Sequence, residues 1–176
     1  MINIYGSFDG HSSYGLHTLA ALRHFTSAKK FAYRVSDYIV NRPAEMLDFE
    51  RRPDRCDTTP VLQISPPDVD VAGGRTAIWT MTESAGLHWP AVSNLNRAQV
   101  VIVPNNWCAE IFSAAGVRVP ICVANLGIDQ NVFNRHRRRT WSTDKVIFGW
   151  SGSLYGAGAR KNVQAAIDGF MASTFD

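Results

Sequence analysis

At 176 residues, with 45% hydrophobic and 19% charged residues, the chain can bury enough apolar surface to offset the entropy of ordering, which excludes a disordered chain; its length suits one well-packed domain plus a remnant. The net charge of +3 is modest, and nucleic acid is not among the expected partners. No apolar run is long enough to span a bilayer, and the start Met1-Ile2-Asn3-Ile4-Tyr5-Gly6 lacks the basic flank and apolar block of a signal peptide, so a cytoplasmic protein is expected.

Short apolar runs rich in β-branched and aromatic residues alternate with longer amphipathic stretches, the rhythm of βαβ units, which predicts an α/β fold with a mostly parallel, doubly wound sheet. Ile2 to Tyr5 reads as the first strand, broken at Gly6. Gly15 to Phe25 follows as a helix with Leu16, Leu19, Ala20, Leu22 and Phe25 on its apolar side. Further strands are expected at Phe31 to Val40, Val61 to Ile64, Thr76 to Met81, Val100 to Val103 and Ile121 to Ala124. Asn106 to Ala115 has the length of a helix, and Gly116 is placed to end it in a left-handed conformation. Cys56, Cys108 and Cys122 include no C-x-x-C pair and are expected to be reduced thiols, with Cys122 buried inside Val119-Pro120-Ile121-Cys122-Val123. After Phe133 comes the cationic segment Arg135-His136-Arg137-Arg138-Arg139; Arg51, Arg52 and Arg55 form a weaker one. Each reads most simply as a solvated run; the functional alternatives are a contact for an anionic membrane surface, a nucleotide phosphate or nucleic acid. The pattern then resumes with a strand at Val146 to Trp150, a glycine-rich turn, and a helix at Asn162 to Phe170. The expected domains are therefore residues 1–134, a basic linker at 135–145, and the beginning of a second domain at 146–176.

In an open parallel sheet ligands sit beyond the carboxyl ends of the strands, so the segments directly after strands carry the candidate chemistry. Gly6-Ser7-Phe8-Asp9-Gly10-His11-Ser12-Ser13-Tyr14-Gly15 is a small-residue loop opening into a helix, where amides can meet an anion or a sugar hydroxyl, or where the chain simply turns. Glu83, just past a strand end, and His88 are suited to take a proton from a hydroxyl or to hold hydroxyls; a solvated Glu and a packed His fit the same spacing. Asn125-Leu126-Gly127-Ile128-Asp129 follows the last strand of the first domain. The run from Gly149 to Asn162 combines glycines, a helix start and the cations Arg160 and Lys161, all of which suit a diphosphate. No metal is expected at these segments.

Together these segments resemble the retaining GT-B glycosyltransferases of family 4, or group 1. The stretch Arg97 to Trp107, then Gly116-Val117-Arg118-Val119-Pro120-Ile121, then Asn125 to Phe133 is similar to the family's strand ending "vPS", its "Gv..pi.vvp.GvD...F" passage and its entry to the second domain. Ser13-Tyr14-Gly15 is similar to the amino-terminal glycine loop, Glu83 to the acidic position of "E..lp..w", and Arg160-Lys161-Asn162 to the "KN" that opens the first helix of the donor domain. The resemblance implies a Rossmann-like, acceptor-side domain and sugar transfer from a nucleotide-sugar donor to an acceptor hydroxyl with retention, the donor being a substrate and no cofactor being needed. It assigns Lys161 and Arg160 to the diphosphate, Tyr14 and Gly15 to the donor or acceptor, and Glu83 or His88 to acceptor hydroxyls. Two departures stand out: Gly152 is followed by Ser153 where the family often has Arg, and the donor-domain E-x7-E pair has no counterpart up to Asp176. Residues 1–176 alone are therefore expected to transfer little or no sugar, and the second-domain unit to pair with its equivalent in a homodimer. The rival expectations are a non-catalytic Rossmann-like binding or assembly module and a GT-B-related nucleotide-sugar epimerase.

Overall fold

Runs of β-branched and aromatic residues form strands that suit a sheet covered on both faces. In the computed structural model, residues 2–9, 12–35, 43–50, 58–131, 133–134, 147–150 and 161–173 are described. The strands are β1 (Asn3–Phe8), β2 (Lys29–Val35), β3 (Val61–Ile64), β4 (Thr76–Trp79), β5 (Val100–Val103) and β6 (Ile121–Val123). They form one six-stranded sheet in the order β2-β1-β3-β4-β5-β6, with every pairing parallel. The expected α/β architecture with a parallel sheet is thus present, and the order reverses direction between β1 and β3. The helices are α1 (Ser13–His24), α2 (Trp89–Leu95), α3 (Asn106–Ala114) and α4 (Val163–Ala172), with a 3-10 turn at Ala44–Met46.

Register sorts the core into two layers. Gly6, Ile64, Trp79, Ile102 and Cys122 lie side by side on one face, and Tyr5, Gln63, Ile78, Val101 and Ile121 on the other. The first face carries α1: Ile4, Phe8, Leu19, Leu22, Ala32 and Met46 form its buried cluster. The second carries α2 and α3, whose Val92, Leu95, Cys108 and Phe112 pack with Ile78, Val101 and Val103. Because the chain moves one way from β1 to β2 and the other way from β3 to β6, right-handed crossovers put their helices on opposite faces, and the sheet is doubly wound.

Several local expectations need correcting. Gly6 does not break β1, which continues to Phe8, because this glycine is where α1 comes closest. On α1, Leu19 and Leu22 are buried, whereas Leu16 and Ala20 face outward and Phe25 is the exposed C-cap. Cys122 is exposed, not buried, because it lies on the α1 face of β6, at the far edge of the sheet from the strands α1 covers. Cys108 is buried; Cys56 lies outside the described residues, as do 36–40 of the expected second strand. The β3-to-β4 connection contains no helix, and buried side-chain amides satisfy its backbone instead. Gln63 donates to the carbonyls of Val69 and Asp70 and accepts from Ala72 N; Asn94 donates to Pro67 and Val69 carbonyls and accepts from Val71 N. Gly116 ends α3 as expected, with φ +99°, Gly116 N–H bonding Ser113 O and Val117 N–H bonding Phe112 O. These are the two bonds of a Schellman motif, with Val117 and Phe112 both buried in one cluster.

The chain divides into two units, Met1–Ile128 and Asp129–Asp176. The division precedes the expected break after 134, and Asp129–Asn134 bond among themselves: Phe133 N–H meets Asp129 O, and the Asn134 amide meets Gln130 and Asn131 carbonyls. In the second unit Ile147–Trp150 has no strand assignment, so the expected strand, and with it the premise for edge-to-edge dimer pairing, is not seen in those residues. Val146 and the glycine-rich turn at 151–160 lie outside the described residues. The Phe148 ring meets that of Phe170 of α4 at 5.7 Å in a tilted arrangement, and the Trp150 indole N–H donates to Lys161 O. Among the described residues no helix is long and apolar enough to cross a membrane.

The seat of α1 leaves no room for a side chain at Gly6. A Cβ at Gly6 would lie 2.3 Å from Thr18 Oγ1 and 2.6 Å from its Cγ2. Gly6→Ala is expected to cost about 1–3 kcal/mol by overpacking, measured by urea denaturation. The double variant Gly6→Ala/Thr18→Ala should lose less than the sum of its parts, since the clash needs both side chains.

Candidate functional site

The carboxyl edge of the sheet is organised first by the turn from β1 into α1. Asp9, 5% exposed, follows the last residue of β1. Its carboxylate accepts from Ser7 Oγ at 2.7 Å, from Ser12 N at 2.9 Å, and from the Ser12 hydroxyl, which lies 2.7 and 2.9 Å from its two oxygens. Ser12 in turn caps α1, its Oγ accepting from Gly15 N at 3.0 Å. The Gly15 amide, expected to face a ligand, is therefore already engaged: a serine cap in extended conformation directs its oxygen to this N–H. Gly10 and His11 lie outside the described residues.

From the first turn of α1, Tyr14 reaches across β3 to the segment after β4. Its phenol donates to Met81 O and accepts from Met81 N, both at 3.3 Å. Its ring meets the Trp79 indole edge-on at 6.0 Å, and His17, one turn later, stacks on the same indole at 4.5 Å. Burial raises the Tyr14 pKa above its ordinary value, opposed by interaction with the Thr80 hydroxyl and the Met81 backbone. The Thr80 hydroxyl lies beside the phenol without meeting hydrogen-bond geometry toward any described residue. The structure thus joins the two segments singled out after β1 and β4.

Of the expected site residues, Tyr14 stands at this junction and Gly15 is buried behind it. Glu83 is exposed in the turn closed by Ser84 N–H on Thr82 Oγ1. His88 is the exposed N-cap residue of α2, whose side chain makes no capping bond. Lys161 belongs to the second unit, and Arg160 lies outside the described residues, as do both basic segments. Among the described residues no three His, Cys, Asp or Glu side chains gather as a metal site requires.

Sequence reasoning missed a cavity of about 410 Å³ at the ends of β4, β5 and β6. The β4 segment contributes Met81 and Thr82, the turn into α3 contributes Pro104, Asn105, Trp107 and Cys108, and the end of β6 contributes Asn125 and Leu126. Asn105 caps α3, its side chain accepting from Cys108 N at 2.8 Å, while Ala109 N–H bonds Asn105 O. The Cys108 thiol, 2% exposed, points to Thr82 O at 3.7 Å and closes the wall between the two segments. The available signal was positional: each contributor follows a strand end. A larger cavity, about 510 Å³, belongs to the second unit and is walled mainly by apolar residues, among them Phe148, Ile167 and Phe170. Compared with protein-family models, curated proteins and solved structures, the chain matches none.

The buried phenol has a pH signature. Its pKa is higher folded than its ordinary 10.0, so its contribution to stability is complete below that value and declines as pH rises through the folded pKa. Tyr14→Phe should cost about 0.5–1.5 kcal/mol near neutral pH through the lost Met81 bonds. It should also shrink the stability loss as pH rises above the ordinary tyrosine value of 10.0, as measured by chemical denaturation at each pH. An unchanged alkaline loss would mean that Tyr14 ionises as freely folded as unfolded.

Proposed function

We propose that the first unit is the acceptor-side domain of a retaining, nucleotide-sugar-dependent glycosyltransferase of the GT-B type. The observation that supports this reading best is the Tyr14–Met81 junction, which brings the α1 start and the segment leading to Glu83 to one carboxyl edge of a parallel, doubly wound sheet. This edge is where such sheets bind ligands. The sequence resemblance carries the rest, because these same segments match the family's glycine loop and acidic passage.

In this reading the acceptor oxygen bonds to the anomeric carbon as the bond from that carbon to the diphosphate oxygen breaks. The nucleoside diphosphate leaves with the bonding pair, and Lys161 and Arg160 are assigned to neutralise it. The acceptor's proton is lost as its oxygen bonds, to the leaving phosphate or to Glu83 or His88. Both side chains are exposed to an incoming acceptor.

The test is an assay of the protein as its gene encodes it against a panel of nucleotide sugars and glycoside acceptors, with product anomers read by NMR. Transfer with retention is expected, and Glu83→Gln or His88→Ala should lower kcat by about 10²-fold or more for the residue that handles the proton. Residues 1–176 alone should leave the donors intact. No product from any donor would sink the transferase reading; an inverted anomer would sink retention.

A further inference from the structure

We infer that the carboxyl-edge cavity seats an uncharged sugar ring, with the Trp107 indole as its platform, and does not take a diphosphate. As the acceptor subsite of a transferase this rests on the proposed function; as a site for a neutral ring it rests on the lining alone.

Charge comes first. None of the side chains that wall the cavity carries a charge, so an anion entering it would lose water without gaining a counter-charge, a large cost. A helix start normally relieves such a cost through its free N–H groups. Here α3 has no such offer at Cys108 and Ala109, whose N–H groups are taken by the side chain and carbonyl of Asn105. The cap thereby withdraws the Cys108 N–H from an incoming anion.

What remains suits a polyol with apolar C–H faces. Trp107 is 46% exposed on the first turn of α3, a large side chain left beside an otherwise filled core, and Leu126 opposite it is similarly exposed. A flat indole held by a helix presents the rigid apolar surface on which a pyranose face packs, at little cost in side-chain freedom. Asn125 lines the same cavity, is exposed, and forms no hydrogen bond with any described residue; its amide can donate to one hydroxyl and accept from its neighbour. Asn105 keeps its NH₂ for a ligand while its oxygen holds the cap. The volume of about 410 Å³ falls in the range of small-ligand pockets, roughly 300–1,000 Å³. Few polar groups on a mainly apolar lining is how such pockets orient a ligand.

Titration of residues 1–176 with the methyl glycosides of glucose, mannose, galactose and N-acetylglucosamine, read by saturation-transfer NMR, tests this, with inorganic pyrophosphate as competitor. At least one glycoside should bind, Trp107→Ala should weaken it about tenfold or more, Trp107→Phe should restore most of the affinity, and pyrophosphate should not displace it. Trp107→Ala must keep the native circular dichroism, as expected for a half-exposed position. Binding by no glycoside, equal binding by Trp107→Ala, or displacement by pyrophosphate would overturn the inference. If the protein as its gene encodes it transfers sugar with an acceptor KM untouched by Trp107→Ala, the cavity inference falls while the transferase stands. Trp107-dependent glycoside binding without transfer from any donor upholds the cavity and removes the transferase.

Discussion

The arrangement of this domain depends on how closely α1 approaches β1, and that distance is set by a missing side chain. At Gly6 the strand has no Cβ, and Thr18 occupies the space, its hydroxyl turned back to bond Tyr14 O within the helix. With α1 seated this low, Tyr14 comes level with the end of β4 and closes a bond pair on the Met81 backbone, while His17 lies on Trp79. A helix held farther out by even one methyl group would lift the phenol away from the strand end. Helix packing on one face of the sheet thereby sets the positions of backbone atoms at its carboxyl edge.

That edge has two chemically distinct parts. Around β1 a buried carboxylate organises the Ser7 and Ser12 hydroxyls and the Ser12 amide of its own turn. Around β4, β5 and β6 the wall is neutral and mainly apolar, with the amides of Asn105 and Asn125 among its few polar groups. The first part fixes geometry, since its groups are already satisfied. The second retains groups with unused capacity, and this difference, more than the sheet itself, marks where a ligand can be recognised.

The sheet was legible in the sequence because its strands are short β-branched runs separated by clear punctuation. Asn105 before the Trp107 helix and Gly116 after it bracket α3 from both ends. Less legible were features decided by neighbours distant in sequence. Nothing local says that Cys122 falls on the far edge of the α1 face, because the reach of α1 depends on register and on Trp79. The short helix α2 begins at Trp89-Pro90, where an exposed tryptophan hides the apolar period carried by Ala91, Val92 and Leu95. The site was half readable. The meeting of the loops after β1 and β4 follows from parallel topology, but the engagement of the Gly15 amide and the exposure of Trp107 arise from capping and packing that periodicity does not encode.

The connection between β3 and β4 has a consequence of a different kind. Residues 65–75 take their course from hydrogen bonds supplied by Gln63, on the strand before, and by Asn94, on a helix more than twenty residues downstream. The segment therefore does not hold its own shape. Grafted onto another parallel sheet by its sequence alone, it would arrive without either of these amides, and the carbonyls they bond would be left to water. Conversely, its outward residues such as Asp68 and Gly74 could be rewritten freely in place. The loop and α2 are therefore coupled structurally, although the chain separates them by β4.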